Sequence, residues 1–182
     1  VETASGIMLP DSYIRQLAEA VHAIGGLLVI DCIASGCIWL DMDKLGIDIL
    51  ISAPQKGWSG SPCGGLIMLS EAAYQKAQST QSDSFTLDLK KWLQIMEAFE
   101  QGGHAYHATM PTDGLFQLYN VMKEAEQIGF DKLCDLQAEL GSKTRKLLAE
   151  QGFPSVAAEG YEAPGVVVSY TVDPDIQSGK SF

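Results

Sequence analysis

Residues Asp48–Gly65 read DILISAPQKGWSGSPCGG. The stretch opens as an apolar run, DILISA, and ends in a glycine-rich loop, with Lys56 where the two meet. A short continuous apolar run reads as a strand buried on both faces, the pattern of parallel sheets flanked by helices. Upstream, LLVID (27–31) is another such run and ends in an acid; LDMDKLGI connects the two. Downstream, GLIMLS (65–70) reads as a third. From Pro10 to Ile24, apolar residues at Ile14, Leu17, Ala18, Val21 and Ile24 recur at helical spacing, with Gly25-Gly26 as the stop. Helical patterns return at 71–78, 87–101, 114–127 and 130–150, and GVVVSY (165–170) is predicted as a late strand. Helices alternating with apolar strands predict an α/β fold with a mostly parallel sheet. The division predicted is one unit over 1–150 and the start of a second, smaller one over 151–182.

Composition narrows the function. Of 182 residues, 46% are apolar and 19% charged, which is globular usage. Acids number 23 against 12 Lys plus Arg, a net charge of -11 that disfavours nucleic acid and anionic membrane as partners. Cys32, Cys37, Cys63 and Cys134 form no C-x-x-C pair, so the reading expects reduced thiols in a reducing, cytoplasmic compartment. His104 and His107 show no metal-ligand pattern and read as surface loop residues; no metal site is expected. No run reaches membrane-spanning length, and no basic n-region opens the chain. The chain starts at Val1 without a methionine, and DPDIQSGKSF ends without a capped helix, so it is expected to be part of a longer protein.

Ligands of open α/β sheets gather outside the carboxyl ends of the strands. Asp31 and Lys56 stand on that rim of two successive strands. Alone, Lys56 is a solvated loop lysine and Asp31 a helix cap or loop acid. Together they can do more. A lysine of lowered pKa attacks a carbonyl to form a Schiff base, and an acid can pair with a protonated ring nitrogen. These are the minimal protein groups for pyridoxal phosphate. Gly57, Gly60, Gly64 and Gly65 allow backbone to approach a ligand. SGKS (178–181) lacks the first glycine of a phosphate-binding loop, since Pro174 stands there, and no G-x-G-x-x-G follows Lys56.

ETASG (2–6), VIDCIAS (29–35), GIDILISAPQKGWSGSPCGGLIMLSEAA (46–73) and AYHATMP (105–111) resemble the class V aminotransferases of fold type I, the alanine–glyoxylate and serine–pyruvate enzymes among them. The resemblance implies a three-layer αβα sandwich: a partial cofactor-binding large domain with its connecting helix over 1–150, then the start of a small domain. It implies a transaminase that moves an amino group between an amino acid and a 2-oxo acid, as a homodimer with a shared site. Position by position, Lys56 would hold pyridoxal phosphate covalently and Asp31 would pair with its ring nitrogen. Ile33 would pack beneath the ring, Gln55 would reach the phosphate, and Thr3 would lie near the ring oxygen and Asp31. Tyr106 and Thr109 would lend hydroxyls to the phosphate held by the neighbouring subunit. Without the resemblance, Ile33 is plain core, Thr3 a loop residue, and AYHATMP a turn capped by Thr109 or Thr112. Pro54 departs from the small hydroxyl residue common before Gln-Lys. Neither Arg15 nor Arg145 matches the family's substrate-carboxylate arginine, and both are expected to be solvated. Phosphonate transamination and cysteine desulfuration are the alternative reactions of the same family, and a non-catalytic truncated product is the alternative outside it.

Overall fold

The computed structural model describes residues 1–180. Ser181 and Phe182, the ends of SGKS and of the second predicted unit, lie outside the described residues. The order is α1 (Asp11–His22), β1 (Val29–Asp31), α2 (Met42–Leu45), β2 (Ile49–Ser52), β3 (Leu66–Leu69), α3 (Glu71–Gln78), α4 (Leu89–Glu100), α5 (Thr112–Ile128), α6 (Phe130–Glu150) and α7 (Pro174–Gln177).

Local chemistry sets most of these boundaries. α1 opens after Pro10 with Asp11 in its first turn, where the helix dipole favours an acid. Asp41, Ser70 and Asp88 each accept a backbone N–H from the first turn of α2, α3 and α4. Asp173 does the same for α7, so the chain's last stretch does hold a capped helix, contrary to expectation. α5 follows Pro111 without a side-chain cap, so neither Thr109 nor Thr112 plays that part.

The core lies on one face of a three-stranded sheet. Ile14 and Ala18 of α1 and Leu45 of α2 pack with Leu28, Ile30, Cys32, Ile47 and Leu50. Ile14 and Ile30 are fully buried, each contributing about 1.5–3 kcal/mol. Ile24, assigned to the apolar stripe of α1, is instead 85% exposed, because the helix ends before it at His22.

β1 and β2 run parallel, with Val29 beside Ile49 and Asp31 beside Ile51. β3 pairs antiparallel with β2, Ile49 opposite Leu69 and Ser52 opposite Leu66. A parallel neighbour needs a crossover of a dozen or more residues, usually helical. The connection from Ala53 to Gly65 contains no helix, so the chain doubles back. The strands are also less enclosed than expected: Val29, Ile67 and Met68 keep more than a third of their surface exposed.

GVVVSY does not form a strand. Ser169 makes an isolated antiparallel bridge with Ser155, flanked by Val156 N–H to the Val168 carbonyl and Tyr170 N–H to the Pro154 carbonyl. Pro154 has no N–H to extend that ladder. The segment after α6 is nonetheless anchored. Ile7 bridges Glu162, and Gly141 of α6 lies so close to Pro164 that a Cβ would come within 2.4 Å of its carbonyl oxygen. Arg145, expected to be solvated, is part-buried and donates to the carbonyls of Ala163 and Val166. Arg15 is exposed.

Candidate active site

The parallel register puts Asp31 beside Ile51, and Lys56 follows five residues later in a turn over 54–58. That turn is held by Ser59 N–H to the Lys56 carbonyl (3.0 Å) and Gly60 N–H to the Pro54 carbonyl (2.9 Å). The loops leaving β1 and β2 meet directly. A Cβ on Gly57 would lie 2.0 Å from the Gly36 carbonyl oxygen, so only glycine fits next to Lys56. Gly57 thus serves contact between two loops, while Gly64 faces open space.

Asp31 turns back on its own loop. Its Oδ1 accepts the Ile33 N–H at 3.0 Å, an Asx turn, and among the described residues no donor reaches Oδ2. Thr3 is brought alongside: its N–H donates to the Asp31 carbonyl (3.0 Å), and its buried Oγ1 accepts the Leu9 N–H (2.9 Å). The hydroxyl keeps its proton for another acceptor. Ile33 is half-buried beside them, while Gln55 and Lys56 are exposed, and the Lys56 ammonium has no ion pair or hydrogen bond among the described residues.

Tyr106 and Thr109 do pair, hydroxyl to hydroxyl at 3.3 Å, on an exposed loop. No hydrogen bond among the described residues joins that loop to Asp31 or Lys56. Its anchor is His107, which the sequence reading left as a surface residue. The ring stacks on Phe85 (4.2 Å between centroids), meets Trp92 edge-on (5.1 Å), and sits 2.8 Å from the Phe85 carbonyl.

A second feature absent from the sequence reading borders Lys56. Trp39, from the Asp31 loop, lies 4.7 Å from Trp58, two residues past Lys56, and both rings meet Phe130 at the start of α6. Aromatic side chains separated by 19 and 72 positions carry no local periodicity that would link them.

The thiols offer little nucleophile. Burial pushes Cys32 up to about 12, with the Asp31 and Glu2 charges adding to it. Burial also raises Cys37 and Cys134. All four cysteines are free thiols. Among the described residues, no helix is long and apolar enough to cross a membrane, and no three His, Cys, Asp or Glu side chains gather as metal ligands.

The donor set fits a group that brings a carbonyl and a protonated ring nitrogen. It offers an exposed primary amine, a carboxylate with one oxygen fixed and the other open, and a hydroxyl with a proton to give.

The chain is similar to known proteins. Over 186 residues the chain is 26% identical to alanine–glyoxylate aminotransferase 1 of Saccharomyces cerevisiae, covering 96% of this chain and 47% of that protein. It is 28% identical over 173 residues to 2-aminoethylphosphonate–pyruvate transaminase of Vibrio parahaemolyticus, covering 93% of this chain and 45% of that one. The crystal structure of alanine–glyoxylate aminotransferase from Nostoc sp. superposes with a TM-score of 0.82 at 20% identity, over 94% of this chain and 44% of that chain. The chain therefore has the α/β fold of the fold type I aminotransferases, and it spans a little under half the length of these relatives. The aminotransferase class-V family model matches residues 1–174, and the chain belongs to that family.

Proposed function

We propose that this chain supplies the lysine and aspartate of a pyridoxal-phosphate transaminase, which moves an amino group from an amino acid such as alanine or serine to a 2-oxo acid such as glyoxylate or pyruvate. The observation that carries the reading is the shared rim: Asp31 ends β1 and Lys56 follows the adjacent parallel β2, and the exit loops of the two strands meet at Gly36 and Gly57. Pyridoxal phosphate, when bound, supplies an electron sink for charge developing on the substrate's Cα. Lys56 holds it through Nζ until the substrate's amino group takes that place. The freed Nζ would then take the Cα proton as general base and, as general acid, deliver it to the cofactor's C4′ rather than back to Cα, so that the amino group stays behind when the 2-oxo acid leaves. Asp31, through its open Oδ2, keeps the ring nitrogen protonated. Thr3 and Ile33 would flank the ring, and Gln55 would serve the phosphate. Tyr106 and Thr109 serve the phosphate in the neighbouring subunit of a homodimer. Their mutual hydrogen bond on an exposed loop, with no hydrogen bond to Asp31 or Lys56 among the described residues, supports that role. Residues 1–150 form the partial large domain with α6 as connecting helix, and the small domain begins at 151. The free thiols suit a reducing, cytoplasmic setting.

The test is an absorbance scan of the full-length protein with pyridoxal phosphate, then borohydride reduction and peptide mapping. The expected result is a near-visible band and a label on Lys56. A label elsewhere, or none, overturns the reading and favours a non-catalytic chain. Comparing alanine with 2-aminoethylphosphonate as amino donor decides the substrate class, since relatives of both names match. Cysteine desulfuration through Cys32, Cys37 or Cys134 is disfavoured by their raised thiols.

A further inference from the structure

The turn that carries Lys56 has few contacts of its own. Its internal bonds are Ser59 N–H to the Lys56 carbonyl, Gly60 N–H to the Pro54 carbonyl and a long Lys56 N–H to the Ala53 carbonyl (3.5 Å), while Gln55 and Lys56 are exposed. A lysine side chain is a flexible four-carbon stem, so its amine is only as well placed as the backbone beneath it. That backbone is gripped from outside. Trp58 lies against Trp39 with centroids 4.7 Å apart and planes tilted by 41°. Phe130 meets Trp39 at 5.6 Å and Trp58 at 6.4 Å, both edge-on. The Trp39 Nε1–H donates to the Phe130 carbonyl at 3.3 Å, fixing one ring to the first residue of α6. The Cys37 thiol points to the Gly57 carbonyl at 3.8 Å, and Gly36 lies against the Gln137 side chain of α6. The Asp31 loop, the Lys56 turn and one face of α6 therefore meet in a single aromatic joint.

We propose that Trp39 and Trp58 are positioning residues: they lock the Asp31 loop and the Lys56 turn into one unit, and so fix the Lys56 amine relative to the Asp31 carboxylate. This rests on the transaminase reading of Lys56, but its first readout does not. With Trp58 removed, the turn keeps its internal bonds but loses its register against Trp39. A displacement of about 1 Å between reacting groups can cost about 100-fold in rate.

The experiment compares Trp58→Leu, Trp58→Phe and Trp39→Phe in the full-length protein. Trp58→Phe keeps a ring in the joint, and Trp39→Phe keeps a smaller ring while removing the Nε1–H bond. Hydrogen exchange without cofactor is the first readout. Trp58→Leu should raise exchange at the Ser59 and Gly60 amides and across residues 32–39 together, with β2 still protected. Trp58→Phe should restore both regions. In the loaded protein, Trp58→Leu should shift the pH midpoint of the near-visible band and lower kcat by roughly 10- to 100-fold with KM nearly unchanged. Trp39→Phe should give a smaller effect of the same kind. Faster exchange in the 54–60 turn alone, or in neither loop, overturns the joint even if borohydride labels Lys56. Coupled exchange with the borohydride label on another residue overturns the positioning role through the Lys56 reading instead. An unshifted titration in Trp58→Leu overturns the positioning role while leaving Lys56 as the anchor.

Discussion

Two aspartates stand at opposite ends of the same sheet and are used in opposite ways. Asp48, at the amino end of β2, is buried and satisfied on both oxygens. It accepts from His22 Nε2 (2.7 Å), the Leu28 N–H (2.7 Å) and Ser70 Oγ (3.1 Å), tying α1, β1 and the start of α3 together. Asp31, at the carboxyl end of β1, gives one oxygen to its own loop and leaves the other open. The two differ by what surrounds them, not by residue type. An aspartate whose acceptor sites are all filled by protein donors holds a fold together. One kept partly open at a strand end can hold a ligand.

Substitution can break this contrast, beginning on the carboxyl rim. Lys56→Ala in the full-length protein should abolish transamination and the borohydride label while leaving the fold intact by circular dichroism. Lys56→Arg should fail as well, because a guanidinium does not deprotonate. Asp31→Asn should still take up cofactor but turn over roughly 10²- to 10³-fold more slowly, the scale of losing one preorganised electrostatic group. Its unfolding midpoint in urea should stay near wild type.

Asp48→Ala should do the reverse. It leaves the Leu28 N–H unpaired in a buried place and strips partners from Ser70 and His22, costing about 3 kcal/mol. Urea titration should show this, with the near-visible band unchanged wherever the protein is folded. Tyr106→Phe should touch neither aspartate. It should weaken cofactor affinity about tenfold, as loss of one phosphate hydrogen bond implies, measured by equilibrium titration.

The smallest effect concerns acid. Burial opposes ionisation of Asp48, but the bonds from His22, the Leu28 amide and Ser70 overcome it and hold the carboxyl below its ordinary value. A lowered folded-state pKa means stability that is fully present above the unfolded value, near pH 4, and lost as pH falls through the folded value. Wild type should therefore lose stability below about pH 4 more steeply than Asp48→Asn. Parallel slopes would remove Asp48 from the acid response.

The rim is legible in the sequence because its signals are local. Apolar runs ending at Asp31 and just before Lys56 mark two strand ends, and strand ends face one way in a parallel pair. The direction of β3 was not legible, since an apolar tetrapeptide reads alike in either sense; the helix-free link decided it. GVVVSY misled for the same reason: β-branched residues suit a strand, but a ladder needs a partner, and Pro154 limits the one available. Ile24 kept the helical period one step beyond the end of the helix. Arg145 and His107 were misjudged because their partners, Ala163, Val166, Phe85 and Trp92, lie 15 to 22 positions away in the sequence. Trp39, Trp58 and Phe130 were invisible on the same ground, over separations of 19, 72 and 91 positions.

The close pass of Gly57 against Gly36 also limits how this sequence can drift. Aromatic rings in the joint can be exchanged for other bulky groups one at a time, with graded losses between. Gly57 cannot be exchanged: any side chain there collides with backbone, which has no rotamer through which to yield, and Gly36 opposite it sits at a φ of 67° that favours glycine. Descendants of this chain can thus wander widely in the walls around Lys56, while the hinge of backbone beside it is inherited as a unit or lost.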